Sequence, residues 1–153
     1  ATRLYNKNKY EDMLANYYTM VERVAVVLWD INNLKEINDR MGHGMGDKLI
    51  ETMSGAIYAQ TDSRKKAYRI GGDEFAMLIE NPEKQEAEQI IQNVRDKLAR
   101  HREEGGLRVS SATGTAEGNG IGILKIVHVA DERMYEDKKR GKESREYAMF
   151  YSE

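Results

Sequence analysis

Residues 67–80 read Ala-Tyr-Arg-Ile-Gly-Gly-Asp-Glu-Phe-Ala-Met-Leu-Ile-Glu (AYRIGGDEFAMLIE). Two apolar, strand-like runs flank Gly71-Gly72, and such a pair predicts a β-hairpin. The turn explains the glycines but not Asp73-Glu74, because adjacent carboxylates repel and gain nothing from the bend. A cation is the missing partner that would make the pair favourable.

The flanking elements follow from residue patterns. Residues 22–30 (ERVAVVLWD) are valine-rich and predict a strand. Their apolar core, Val24 to Trp29, is far shorter than the ~20 residues of a membrane helix. Residues 6–20 place Tyr10, Met13, Leu14 and Tyr17 at helical spacing. Residues 33–41 read as a short helix, followed by a Gly-His-Gly-Met-Gly loop. Met45, Leu49, Met53 and Ile57 mark one face of a helix over 45–60. Strands are expected at 66–70 and 75–80. Asn81-Pro82 has the chemistry of a helix start, with Asn capping and Pro in the first turn. That helix, with Ala87, Ile90, Ile91, Val94 and Leu98 inward, is expected to stop at Gly105-Gly106. A strand over 107–116, a helix over 123–140 and a last strand over 146–151 (EYAMFY) complete the reading. The alternation predicts an α/β (α+β) domain, a mixed sheet with helices packed on it.

The chain has 153 residues, 40% apolar and 33% charged, and reads as one soluble domain spanning 1–153. A net charge of -2 argues against a domain that grips nucleic acid backbone. The absence of cysteine excludes disulfides, thiolate metal sites and cysteine nucleophiles. No signal peptide or membrane segment is legible, so the cytoplasm is the expected compartment. The Ala-Thr start reads as a domain cut from a longer chain.

Asp30 ends the most apolar strand, and Asp73 and Glu74 lie at a hairpin tip. If these strands are neighbours, three acids converge. Oxygen ligands without His or Cys favour Mg²⁺ over zinc. Gly71 and Gly72 would let a phosphate approach the backbone closely. Residue by residue, the bland readings stay open: a solvated hairpin tip, and a strand that simply ends in Asp.

The chain as a whole resembles the GGDEF family, the diguanylate cyclase domains. Gly71-Gly72-Asp73-Glu74-Phe75 matches the family signature letter for letter. TRLYNK (2–7) is similar to the family's opening Leu-Thr-Gly-Leu-x-Asn-Arg. DINNLKEINDRMGHGMGD (30–47) is similar to Asp-x-Asp-x-Phe-Lys-x-x-Asn-Asp-x-x-Gly-His-x-x-Gly-Asp. ADERMYEDKKRGK (130–142) is similar to Ala-Asp-x-Ala-Leu-Tyr-x-Ala-Lys-x-x-Gly-Arg, and Arg69 stands at the usual offset before the signature.

The resemblance implies a core like that of nucleotidyl cyclases and polymerase palms, a ferredoxin-like βαββαβ unit. It implies joining of two GTP molecules into cyclic di-GMP, a bacterial second messenger, with release of two pyrophosphates. One signature per chain implies a homodimer, without nucleic acid or membrane contact, and a fused sensor domain in the full-length protein. By position, Asp30, the Ile31 carbonyl and Asp73 match the metal ligands, for two Mg²⁺ or Mn²⁺ ions. Glu74 matches the carboxylate that holds metal and serves as base for the ribose 3′-hydroxyl. Asn33, Leu34 and Lys35 match the turn that meets the phosphates, which Gly72 also approaches. Asn38 and Asp47 match the guanine readers, and Lys138 and Lys142 the triphosphate cations. Taken alone, Asn38 and Asp47 could equally cap helices or face solvent. Lys138, Lys139, Arg140, Lys142 and Arg145 could equally form a solvated basic face. His43, Trp29 and the methionines read as structural.

Three departures from the family pattern are visible: Asn32 for a frequent Asp, Leu34 for Phe, and Ala112 for Ser. A fourth concerns regulation. Many members carry Arg-x-x-Asp before the signature as an inhibitory product site. Here Asp62 and Lys65 reverse the charges, so no inhibitory site is expected there. Rival readings are a catalytically silent GTP-binding regulatory module, an RNA-binding ferredoxin-like domain and a synthase of mixed adenine–guanine dinucleotides. The retained acids argue against the first and the acidic tip against the second. Asp47 argues against the third.

Overall fold

A computed structural model describes residues 3–151, with side-chain surroundings for 3–142. The elements in chain order are α1 (Lys7–Asn16), β1 (Arg23–Ile31), α2 (Leu34–Met41), α3 (His43–Tyr58), β2 (Lys65–Arg69), β3 (Glu74–Glu80), α4 (Glu86–Glu103), β4 (Ser111–Asn119) and α5 (Ile123–Tyr151). From β1 onward this is a βαββαβ unit, with the first crossover made of two helices. The sheet order is β2-β3-β1-β4. All three strand pairings are antiparallel. The expected mixed sheet reduces to one parallel bridge, between Tyr5 and Tyr68.

β1 is central and buried on both faces, which is why its sequence is a continuous apolar run rather than an alternating one. Val24, Val26 and Leu28 join Tyr68, Ala76 and Leu78 against α1 and α5, with Tyr10, Leu14, Ile126 and Met134. Ala25, Val27, Trp29 and Ile31 join Phe75, Met77 and Ile79 against α3 and α4. Successive strand residues point to opposite faces. Asp30 therefore continues the Val24-Val26-Leu28 row onto the α1/α5 face. Glu74 continues the Ala76-Leu78 row onto the same face, and the register pairs Asp30 with Glu74.

Several boundaries differ from the sequence reading. The first helix stops at Asn16, and a 3₁₀ turn covers Tyr18–Met20. The glycine-rich loop is almost absent, because α3 begins at His43. Gly42, at φ +87°, makes the break alone, a conformation glycine adopts without strain. Asn81-Pro82 does not start a helix. Asn81 bonds Arg23 instead, its N–H donating to the carbonyl (2.8 Å) and its Oδ1 accepting from the N–H (3.2 Å). α4 starts at Glu86, whose carboxylate takes two bonds from the Arg64 guanidinium and one from the Glu83 N–H. Gly105, at φ +90°, does end α4 as expected. β4 is shifted to 111–119.

No last strand forms over 146–151. α5 continues through Lys138-Lys139-Arg140-Gly141 to Tyr151. A helix satisfies its own backbone hydrogen bonds, whereas a strand needs a partner edge. Among the described residues, no helix is long and apolar enough to cross a membrane.

Candidate active site

The C-terminal end of β1 and the N-terminal end of β3 meet at one rim of the sheet. Their backbones are laced there by the Ile31 N–H donating to the Asp73 carbonyl (2.9 Å), while the Asn32 N–H donates to the Ser110 carbonyl (2.9 Å) just before β4. The connection between β2 and β3 is four residues, 70–73, closed by the Ile70 N–H bonding the Glu74 carbonyl (3.0 Å). Neither Gly71 nor Gly72 adopts positive φ, so the connection does not draw on the left-handed freedom of glycine. Arg69 braces the connection, its guanidinium donating to the carbonyls of Gly71 (3.2 Å) and Gly72 (2.8 Å). A Cβ at Gly72 would meet no protein atom within 4 Å. The protein's own packing therefore does not require glycine at this position, and the space above it is open to a ligand.

Asp30 is nearly buried, its side chain 10% exposed. Oδ2 accepts from the Lys138 ammonium at 2.9 Å, while Oδ1 is buried with no hydrogen-bond partner. Burial raises the pKa of the Asp73 carboxyl, helped by the negative charge of the neighbouring Asp30. Burial also raises Glu74, assisted by the charges of Asp30, Asp73 and Asp131. The hydrogen bond to Asp30 raises Lys138, whose charge Asp73 and Glu74 also favour. This is an acidic site held in check by one lysine.

The donors are all oxygens, and an orphaned buried carboxylate oxygen is a group that a hard divalent cation would satisfy. The residues fit such an ion by donor type. They are not gathered into a closed cage: among the described residues no three acidic or histidine side chains are drawn together tightly enough to enclose one. Asp30 and Glu74 are register partners across β1 and β3, and Asp73 is the residue just before β3.

α5 brings Lys138 to this rim, and two features that the sequence reading passed over set its position. A Cβ at Gly114 would lie 2.2 Å from the Ala130 carbonyl oxygen and 2.3 Å from the Met134 nitrogen. Only glycine lets the helix sit this close to β4. Asp137 then accepts from the Thr113 N–H (2.8 Å), pinning the turn that carries Lys138. Gly114 lay in plain view in ATGTA, but its packing partner is distant in sequence, so no local signal marked it. Lys142 is exposed one turn further along α5.

The remaining candidates form a second group. Asn33 links β1 to α2 at φ 60°, and its side chain makes no cap. Lys35 is exposed, while Leu34 packs against the α3/α4 core. The side chain of Asn38 lies against the backbone of α3, its Oδ1 1.8 Å from where a Gly46 Cβ would be. Asp47, the next residue, is exposed. Asn38 and Asp47 thus share one helix junction. Asp62 and Lys65 pair with each other (3.1 Å), and the Asp62 carboxylate also accepts the N–H groups of Arg64 and Lys65.

A family profile described as "Diguanylate cyclase, GGDEF domain" matches residues 1–144. The chain belongs to the GGDEF family of diguanylate cyclase domains. Among curated proteins it is 28% identical over 124 residues to diguanylate cyclase DosC of Escherichia coli K12, covering 78% of this chain and 27% of DosC. It is 32% identical over 117 residues to the probable diguanylate cyclase DgcI of the same organism, covering 75% and 25%. The chain thus spans about a quarter of the length of these relatives. Among solved structures, the GGDEF domain of YfiN (TpbB) from Pseudomonas aeruginosa superposes with a TM-score of 0.74 at 28% identity, covering 91% of this chain and 87% of that one. The GGDEF domain of DgcB from Caulobacter crescentus, solved in complex with c-di-GMP, superposes at 0.77 with 23% identity, covering 92% and 88%, and shares the fold.

Proposed function

We propose that this domain is a diguanylate cyclase: it condenses two GTP molecules into cyclic di-GMP and releases two pyrophosphates. The observation that carries this is the buried, unpartnered Oδ1 of Asp30 at a rim shared with Asp73, Glu74 and Lys138. Asp30, the Ile31 carbonyl, Asp73 and Glu74 would hold two Mg²⁺ or Mn²⁺ ions. Bound there, the ions would supply positive charge to the reacting α-phosphate and make the 3′-hydroxyl easier to ionise.

The protein's own groups do the rest. Glu74, its proton affinity raised by burial, accepts the 3′-hydroxyl proton. The freed oxygen bonds to the α-phosphorus of the facing GTP, and the bond to the bridging β-phosphate oxygen breaks as pyrophosphate leaves. The N–H groups around Asn33, Leu34 and Lys35, at the start of α2, receive phosphate oxygens. Open space at Gly72 admits the triphosphate, and Lys138 and Lys142 offset its charge. The Asp47 carboxylate accepts from guanine N1–H and the 2-amino group, and Asn38 completes the edge. Each domain presents one GTP, so two copies face each other across a two-fold axis. GTP supply places the reaction in the cytoplasm, under a sensor elsewhere in the longer protein.

The test is incubation at high protein concentration with GTP and Mg²⁺, following cyclic di-GMP and pyrophosphate. Glu74→Gln and Asp73→Asn should each abolish product. A silent nucleotide-binding module would bind GTP and release neither product.

Two further outcomes are expected. Gly46→Ala should displace Asn38 and raise the KM for GTP about tenfold, the equivalent of one hydrogen bond of roughly 1.4 kcal/mol, with less effect on kcat. An unchanged KM would remove Asn38 from the guanine site. Added cyclic di-GMP should not inhibit through residues 62–65, where Asp62 and Lys65 already pair with each other. Inhibition relieved by substituting Asp62 would refute this.

A further inference from the structure

Asp30 and Lys138 differ sharply in what they lose if they separate. The Lys138 side chain is 51% exposed and reaches in from solvent, whereas that of Asp30 is 10% exposed. On opening, the ammonium returns to water at little cost. The carboxylate would be left buried, charged and without a counter-ion, and removing one partner of such a pair is the expensive change. The backbone of α5 cannot share the motion. Gly114 seats it against β4, and Asp137 holds the Thr113 N–H one residue before Lys138. The movement is therefore confined to the lysine side chain, and Asp30 tolerates its departure only when another cation arrives.

Resting on the cyclase reading above, we propose that Lys138 is a resident counter-ion that a divalent cation must displace from Asp30, and that GTP assists by offering the ammonium its phosphates. Two consequences follow. The nucleotide-free domain holds divalent ions weakly, because the ion competes with a tethered ammonium. GTP and metal then bind with positive coupling: by linkage, each raises the affinity of the other by the same factor.

The experiment is Mn²⁺ binding to the nucleotide-free domain, followed by the loss of the free-ion electron paramagnetic resonance signal. Wild type, Lys138→Met, Lys138→Gln and Lys139→Met are compared, with GTP affinity measured in parallel. A latch closed nine-tenths of the time reduces apparent affinity about tenfold. Lys138→Met and Lys138→Gln should therefore tighten Mn²⁺ binding by roughly that factor while weakening GTP binding. Lys139→Met, one residue away on the same helix, should change neither. In thermal melts, Lys138→Met should fall below wild type without metal and regain more on adding Mg²⁺. That crossover also shows that the variant is folded.

Mn²⁺ affinity equal to or weaker than wild type in both Lys138 variants would overturn the proposal, as would the absence of Mn²⁺ binding in every protein. If the variants bind Mn²⁺ more tightly but wild type makes no cyclic di-GMP, the latch stands and the cyclase reading falls.

Discussion

Replacing Gly114 with alanine is expected to lower stability by about 1–3 kcal/mol and turnover about a hundredfold, the scale of a 1 Å misplacement. The added methyl would sit 2.2–2.3 Å from backbone atoms of Ala130 and Met134, which cannot rotate aside. α5 must lift from β4, breaking the Asp137–Thr113 bond and drawing Lys138 away from Asp30. Gly118→Ala is the control on the same strand. There the nearest contact is the Ile126 Cδ1 at 3.3 Å, the flexible end of a side chain, so the change should be small. Melting curves and initial rates on the two variants decide the matter. Equal, mild effects would show that helix seating at Gly114 does not position the site.

The second large effect is a conflict between stability and activity at the acidic rim. Asp73 and Glu74 both hold protons more tightly in the folded chain, through burial and then through the charge of Asp30. Native protein therefore binds more protons than unfolded protein between the ordinary carboxylate value of about 4 and the raised folded-state values. Stability falls with rising pH across that window. The contribution is fully present below the lower bound and lost above the upper one. Asp73→Asn should flatten this part of the profile and melt higher than wild type at neutral pH, by on the order of 2–4 °C for each kcal/mol of repulsion removed, while making no product. Mg²⁺ should raise the Tm of wild type but have little effect on the variant. A variant that melts lower than wild type at pH 7 without metal would show that Asp73 is not strained.

The same rim shows how far sequence alone reaches. The valine run of β1, the apolar rows of α3 and α4 and the Gly105-Gly106 stop were legible because each is a local pattern. The four glycine-flanked and acidic letters at 71–74 marked the site for the same reason, and a letter-for-letter signature tied it to a family. Local chemistry misled where a distant partner outbid it. Asn81 has a capping side chain, but β1 claims it through Arg23. The aromatic run at 146–151 favours a strand but continues a helix.

The sequence by itself determined which residue types stand where: oxygen donors without sulfur or imidazole partners, glycines beside them, and lysines on a late helix. Strand periodicity further set Asp30 and Glu74 on a common face once the two strands were neighbours. Only the tertiary structure decided that they are neighbours, that one Asp30 oxygen is left without a partner, and that Lys138 lies on the other. Those facts depend on the contact of Asp30 with Lys138, of Asp73 with Ile31, and of Gly114 with Ala130 and Met134. Chain folding brings such positions together through packing and close backbone approach, and no local propensity records it.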